Sequence, residues 1–96
     1  MDAPGVTVVA LSGELDITER DDIERAVTEA VARPGTRQVV VDLDAVTFID
    51  SEALGAVLLG YTAATAAGLE FRLVNPHGVV RRVLDVAGLT ELFRIA

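Results

Sequence analysis

The sequence predicts an α/β fold in which helices pack on a mainly parallel sheet. Short runs rich in β-branched residues alternate with longer segments whose apolar residues recur at helical spacing, and glycine or proline stands at most of the junctions. Such an order implies right-handed crossovers between parallel strands. Because the chain has 96 residues and is 51% hydrophobic, we expect one domain over residues 1–96 with its own core.

The first strand is predicted over residues 6–11, a β-branched run too short for a helix. Residues 2–5 before it have the composition of a turn, and Ser12 and Gly13 mark its predicted end. Residues 13–16 are then expected to form a loop.

The first helix is predicted from a sequence resembling a capping box at residues 18–21. Its apolar residues follow at i, i+3, i+4, i+7 and i+8, which is the pattern of an amphipathic helix: Ile23, Ala26, Val27, Ala30 and Val31. Residues 33–35, Arg-Pro-Gly, are expected to end it.

The second strand is predicted over residues 37–43, where three consecutive valines are typical of a strand covered on both faces. It should therefore be the central strand. After a short connection at residues 44–46, Phe48 and Ile49 are expected in the core.

The second helix is predicted from Ser51 to about residue 67, with Gly68 closing it. Asp50 and Ser51 are both residue types that cap helices, and the predicted core residues are Leu54, Val57, Leu58 and Tyr61. An interior glycine costs a helix about 1 kcal/mol relative to alanine. Gly55 and Gly60 therefore predict a close backbone approach, by the sheet beneath or by a partner above.

The last third of the chain predicts a strand over residues 69–74 and a helix that Asn75 caps, with Pro76 in its first turn. The predicted apolar face of this helix comprises Val79, Val80, Val83, Leu84 and Ala87. Gly88 should end it. Residues 89–95 fit either a helical turn or a short edge strand.

A candidate site follows from the predicted topology, because sites in parallel sheets gather beyond the carboxyl ends of the strands. Residues 14–16, residues 50–52 and Asn75 each follow one predicted strand. We therefore expect the acidic loop and Ser51 to meet on one rim.

Charge and composition exclude several classes of function. The net charge is −7, and residues 1–52 hold 12 acidic residues against 4 arginines. Such a chain repels nucleic acid and anionic membranes but attracts a basic protein partner. With no cysteine and one histidine, a thiolate or histidine-rich metal site is excluded. The first residues lack the features of a signal peptide, so we expect a cytoplasmic protein.

Residues 47–55, Thr-Phe-Ile-Asp-Ser-Glu-Ala-Leu-Gly, closely resemble the phosphorylation-site motif of the anti-sigma factor antagonists in the STAS domain family. The resemblance extends to four further segments: residues 11–16, 40–43, 73–76 and 83–89. It implies a small STAS-type sheet with about three to four helices packed on it. The additional N-terminal strand usual in the family is expected to be short or absent here.

The resemblance also implies a function without enzymatic activity or a cofactor. Ser51 would be the phosphate acceptor, and the unphosphorylated protein would bind an anti-sigma factor with serine kinase activity and release the sigma factor. A serine phosphatase would reverse the modification. Glu52 and Ala53 depart from the commonest motif. The expected partner-binding residues are Asp16, Asp50, Glu52, Gly55 and Asn75.

The same residues allow other interpretations. Ser51 could be an ordinary helix cap, or Asp50 could be the cap within a solvated acidic face. The domain could be a non-switching STAS adaptor in a stress-signalling or lipid-transport assembly. Asp16, Asp50 and Ser51 could also serve a phosphoryl-transfer or metal-assisted hydrolase, and the same rim could bind a nucleotide.

Overall fold

The computed structural model describes residues 4–95, and within them three strands alternate with helices. The strands are β1 (Val6–Leu15), β2 (Gln38–Ile49) and β3 (Glu70–Val74). The α-helices are α1 (Arg20–Ala32), α2 (Ser51–Ala66), α3 (Gly78–Val86) and α4 (Leu89–Leu92), and a short 3-10 helix spans Ile17–Glu19. The predicted α/β fold is confirmed.

The three strands form one parallel sheet in the order β1-β2-β3. Val40 of β2 lies between Val8 of β1 and Arg72 of β3, so β2 is the central strand, as its valine run predicts. Val39 and Val41 point to one face of the sheet and Val40 points to the other, and Val39 and Val41 are completely buried.

β1 and β2 are longer than predicted. β1 continues through Ser12 and Gly13 to Leu15, and β2 continues through residues 44–46 to Ile49, so the predicted loop and connection are wrong. Two register shifts in the β1–β2 pairing accommodate these residues, and Gly13 adopts a φ of +82° that suits glycine. Both strands consequently end side by side, at the start of α2.

The core lies between the sheet and the helices. Ile23, Val27 and Ala30 of α1 are buried, as the amphipathic pattern predicts, together with Leu54 and Val57 of α2. Leu58 and Tyr61 are only partly buried and pack against this core.

Phe48 is an exception among the predicted core residues. It is 41% exposed whereas Ile49 is 2% exposed. Phe48 pairs with Glu14 in the extended part of β2. Because consecutive residues of a strand point to opposite faces of the sheet, only one of Phe48 and Ile49 can enter the core.

The starts of α1 and α3 differ from the predictions. α1 begins at Arg20, and its cap residue Glu19 makes no side-chain cap within residues 4–95, because the turn at residues 17–19 forms a separate 3-10 helix. α3 begins at Gly78 rather than after Asn75, so Pro76 lies outside it. Asn75 has a φ of +61°, and its side chain bonds to another strand instead of capping the helix.

The apolar face of α3 is narrower than predicted. Val80 and Leu84 are fully buried, but Val79 is 48% exposed and Ala87 is also exposed. Gly68 and Gly88 each have a φ of +76° just after a helix and end α2 and α3 as predicted. The tail forms the short helix α4.

The N-terminal part of the chain is described from Pro4 onward. Pro4 and Gly5 form a turn, as predicted, while residues 2 and 3 of that predicted turn lie outside the described residues, as does any strand before them. Among the helices of residues 4–95, none has the length and apolar character that crossing a membrane requires.

Candidate functional site

The start of α2 is fixed by Asp50. Its backbone is extended, and its Oδ1 accepts a hydrogen bond from the Ala53 amide at 2.9 Å, while its carbonyl accepts from the Leu54 amide at 2.9 Å. Asp50 is therefore the N-cap, and Ser51 is the first residue inside the helix.

Asp50 also attaches α2 to the end of β1. Its second carboxylate oxygen accepts from the Ile17 amide at 3.1 Å, and its own amide donates to the Leu15 carbonyl at 3.0 Å. These bonds bring the segment after β1 against the start of α2, as the sequence predicts for the rim.

Asp16 lies in that segment and caps the 3-10 helix. Its carboxylate accepts from the amide and the hydroxyl of Thr18. The hydroxyl bond and then the amide bond hold the pKa of Asp16 below its ordinary value. Asp16 therefore contributes a negative charge to the rim at neutral pH.

Glu52, in the first turn of α2, pairs with Arg20 at the start of α1. The Arg20 Nη1 lies 3.4 Å from the Glu52 Oε1, and the Arg20 Nε lies 3.1 Å from Glu24. Glu24 is the main cause, with Glu52 contributing, of the raised pKa of Arg20. Such exposed pairs contribute little to stability, so Glu52 can exchange Arg20 for another partner.

Ser51 is exposed between the acidic rim and a groove. Within residues 4–95 its hydroxyl takes part in no side-chain hydrogen bond. The groove has a volume of about 420 Å³ and separates the first turn of α2 from α3. Its lining is almost wholly apolar apart from one arginine: Ser51, Leu54, Val79, Arg82, Val83, Val86 and Ala87.

The two glycines of α2 have different surroundings. A Cβ on Gly60 would lie 2.7 Å from the Val27 Cβ and 3.2 Å from the Phe71 ring. A close approach is therefore present, but side chains make it, and the nearest belongs to helix α1 and not to the sheet or a partner as predicted. Gly55 is exposed, and beyond its chain neighbours and the backbone of its own helix no atom of the described chain comes within 4 Å of such a Cβ. Gly55 lies one helical turn beyond Ser51, on the same side of α2.

Asn75 belongs to a separate set of contacts. Its Nδ2 donates to the Asp42 Oδ1 at 3.1 Å, and the His77 Nε2 lies 2.6 Å from the Asp44 carbonyl oxygen. The Asp44 amide is the first cause and Asn75 the second of the lowered pKa of Asp42. These bonds fix the β3–α3 turn against β2. Hydrogen bonds and ion pairs thus join the segments of Asp16, Asp50 and Glu52 beside Ser51, while Asn75 is bound to Asp42.

The arrangement suits the presentation of a hydroxyl. A helix N-terminus favours an added negative charge, by about 0.3 to 1 kcal/mol at an exposed site.

Across residues 4–95, the histidine and acidic side chains form no group of three that could hold a metal ion.

The groove was missed by the sequence prediction, which assigned Val79, Val83 and Ala87 to the buried face of α3. A usable signal was present, because five of the nine residues of α3 are valine or leucine. That number exceeds what one face of a short helix can bury. Ile17, which is 60% exposed beside Asp50, was also not predicted.

Comparisons with known proteins identify the family of this chain. Residues 2–96 match the family model of the STAS domain. The chain is 34% identical over 91 residues to an anti-sigma F factor antagonist of Paenibacillus polymyxa, covering 95% of this chain and 78% of that relative. It is 33% identical over 94 residues to the anti-sigma-F factor antagonist RsfB of Mycobacterium tuberculosis, covering 98% and 75%.

Solved structures of SpoIIAA, an anti-sigma factor antagonist of Bacillus, have the same fold. The unphosphorylated form has a TM-score of 0.82 and 26% identity, with 100% of this chain and 84% of that chain covered. The phosphorylated form has a TM-score of 0.74 and 25% identity, with 100% and 86% covered. With this fold, the serine at the start of α2 and a family match over nearly its whole length, the chain belongs to the STAS domain family.

Proposed function

We propose that this protein is an anti-sigma factor antagonist. Its unphosphorylated form binds an anti-sigma factor with serine kinase activity and thereby releases the sigma factor. The observation that carries the proposal is Ser51, whose exposed hydroxyl is held at the start of α2 by the cap of Asp50 and has no structural role in the described chain. The two curated relatives described above, both antagonists of anti-sigma F factors, support it.

Phosphorylation of Ser51 is proposed to end this binding. A phosphate adds about −1.5 to −2 charges at pH 7. In the free protein the helix N-terminus and solvent accommodate that charge. In the complex, the same group would be desolvated next to Asp50 and Glu52, against a partner surface shaped for a hydroxyl.

The switch is proposed to leave the fold unchanged. The bonds that fix α2 come from the side chain and backbone of Asp50 and not from the Ser51 hydroxyl. The likeness of this chain to SpoIIAA in both its unphosphorylated and its phosphorylated form supports this proposal.

The proposed partner surface surrounds Ser51. Asp16 and Glu52 provide its negative charge, Asp50 positions it, and Gly55 leaves space for the partner backbone. Asn75 stays a predicted contact, with Asp42 as its present hydrogen-bond partner. We further propose a serine phosphatase as the second enzyme acting on Ser51, a cytoplasmic location, and one domain over residues 1–96.

A non-switching STAS adaptor is the second candidate. Glu52 favours it, because this carboxylate already places a negative charge beside Ser51 where the family motif frequently has a hydroxyl residue. An adaptor of this kind would bind its assembly whether or not Ser51 carried a charge.

The test is a pull-down from a lysate of the source organism, with retained proteins identified by mass spectrometry. Wild type, Ser51→Ala and Ser51→Asp are compared with Thr62→Asp, which adds the same charge to an exposed position of the same helix. Circular dichroism checks that each variant is folded.

We expect wild type, Ser51→Ala and Thr62→Asp to retain a protein with a kinase-type ATP-binding domain, and Ser51→Asp to lose it. Retention of that protein by Ser51→Asp at the wild-type level contradicts the switch. If Ser51→Ala and Ser51→Asp retain one common set without a kinase-type protein, the adaptor is favoured.

A further inference from the structure

The groove between α2 and α3 leaves apolar side chains in solvent next to Ser51. Val86 is 85% exposed and Val79 is 48% exposed, and both line the groove together with the partly buried Val83. Val80 and Leu84 of the same helix are completely buried. α3 therefore has two apolar faces, of which the described chain covers one.

The charge around Ser51 differs between its two sides. Asp16, Asp50 and Glu52 lie on the side of β1 and α1, where Arg20 pairs with Glu52. On the groove side, the lining residues that the structure describes include no acid and one cation, the exposed Arg82. In a chain of net charge −7, the groove is thus an apolar surface with a positive charge at its edge.

We propose that this groove is the second half of the docking surface and receives a segment of the anti-sigma factor that carries aliphatic side chains and a carboxylate. The aliphatic side chains pack between Val79 and Val86, and the carboxylate pairs with Arg82. The inference rests on the proposed function, because Ser51 lies on the edge of the groove and joins it to the acidic rim.

This two-sided surface gives the partner a defined orientation. A basic group of the anti-sigma factor meets the acidic rim, while the aliphatic segment with its carboxylate meets α3. Reversing the partner would place like charges together on both sides, which is strongly unfavourable at an interface. Ser51 lies between the two halves, so a phosphate there would disturb both contacts.

The test measures binding of the purified anti-sigma factor that the pull-down identifies, by isothermal titration calorimetry. One variant removes the apolar surface, Val79→Ser with Val86→Ser, and another reverses the charge, Arg82→Glu. The matched control, Val8→Ser with Leu92→Ser, replaces two apolar residues that are 38% and 52% exposed outside the groove.

We expect the valine double variant and Arg82→Glu each to raise the dissociation constant about tenfold or more, since truncating a central contact of an interface has effects of this order. Arg82→Glu should also weaken the dependence of affinity on salt. The dissociation constant of the control should stay within about threefold of the wild-type value, a smaller change than the loss of a central contact causes. Circular dichroism confirms folding of every variant.

The outcomes separate this inference from the proposed function. If wild type binds, Ser51→Asp does not, and the groove variants bind like wild type, the groove inference is overturned and the proposed function stands. If the groove variants are monomeric and wild type forms a dimer by light scattering, the occupant is a second copy of this chain and the inference is also overturned. If wild type binds no anti-sigma factor, both fail.

Discussion

Gly55 and Gly60 stand five residues apart in the same helix and have opposite surroundings. Gly60 is buried, and any side chain there would overlap Val27 of α1 and approach Phe71 of β3. Gly55 is exposed with open space above it. At Gly60 the helix is thus shaped by packing inside the domain, whereas the side of α2 that carries Ser51 and Gly55 is exposed to solvent.

The contrast shows how one residue type can serve two purposes in one helix. Glycine at position 60 lets α1 approach α2 closely, and that benefit offsets the loss of helix propensity. At Gly55 no contact within residues 4–95 offsets the same loss. This supports the proposal that the compensating contact at Gly55 is made by a partner.

The largest effect is expected from Gly60→Ala. The added methyl group would lie 2.7 Å from the Val27 Cβ, which is too close for two carbon atoms, so α1 and α2 must move apart. Overpacking of this kind costs about 1 to 3 kcal/mol of the free energy of unfolding. Urea denaturation followed by circular dichroism measures it, and a variant as stable as wild type would remove the distinction between the two glycines.

Gly55→Ala makes the same substitution where the space is open, and it should have the opposite sign. Alanine improves helix propensity by up to about 1 kcal/mol, so the free protein should be more stable than wild type. If a partner backbone approaches Gly55, the affinity for the anti-sigma factor should fall. A stabilised variant that binds like wild type would show that Gly55 is not a contact.

The smallest effect is expected from lowering the pH, which should weaken the 3-10 helix that Asp16 caps. The lowered pKa of Asp16 means that its ionised form stabilises the folded state above the ordinary value of 3.8, and that this contribution is lost as the pH falls through the lowered value. The 3-10 helix beside Ser51 should therefore open more easily. The second half of α2, in which Tyr61 is the sole titratable residue, should be unaffected.

Amide hydrogen exchange between pH 6 and pH 3, corrected for intrinsic rates, measures this difference. The Thr18 amide, which donates to the Asp16 carboxylate, should lose protection in acid while the amides of residues 60–66 keep it. Asp16→Asn serves as the control and should remove the pH dependence. Equal loss in both regions would indicate general acid unfolding instead of a local effect.

The arrangement of strands and helices was predictable because it depends on local patterns. Apolar spacing located α1 and α2, and the valine run located the central strand. The extensions of β1 and β2 were not predictable in this way, since they depend on register shifts between residues more than thirty positions apart. Asn75 was misassigned for the same reason, because its side chain bonds to Asp42 and not to its own helix.

The candidate site was predictable in its centre and not at its edges. Helix-capping rules and the resemblance together located Asp50 and Ser51. The groove depends on how α3 rotates when Val80 and Leu84 enter the core, which leaves Val79 and Val86 outside. Such a rotation follows from tertiary packing, which overrides the local apolar pattern.

Within residues 4–95 the hydroxyl of Ser51 makes no hydrogen bond that holds its own helix, since Asp50 makes the bonds that fix it. A group added there would change the surface that another molecule contacts while leaving the bonds of Asp50 in place. In the proposed switch, the time taken to pass between the two states would then be set by the kinase and the phosphatase. No slow conformational change of the domain itself would limit the rate of the switch.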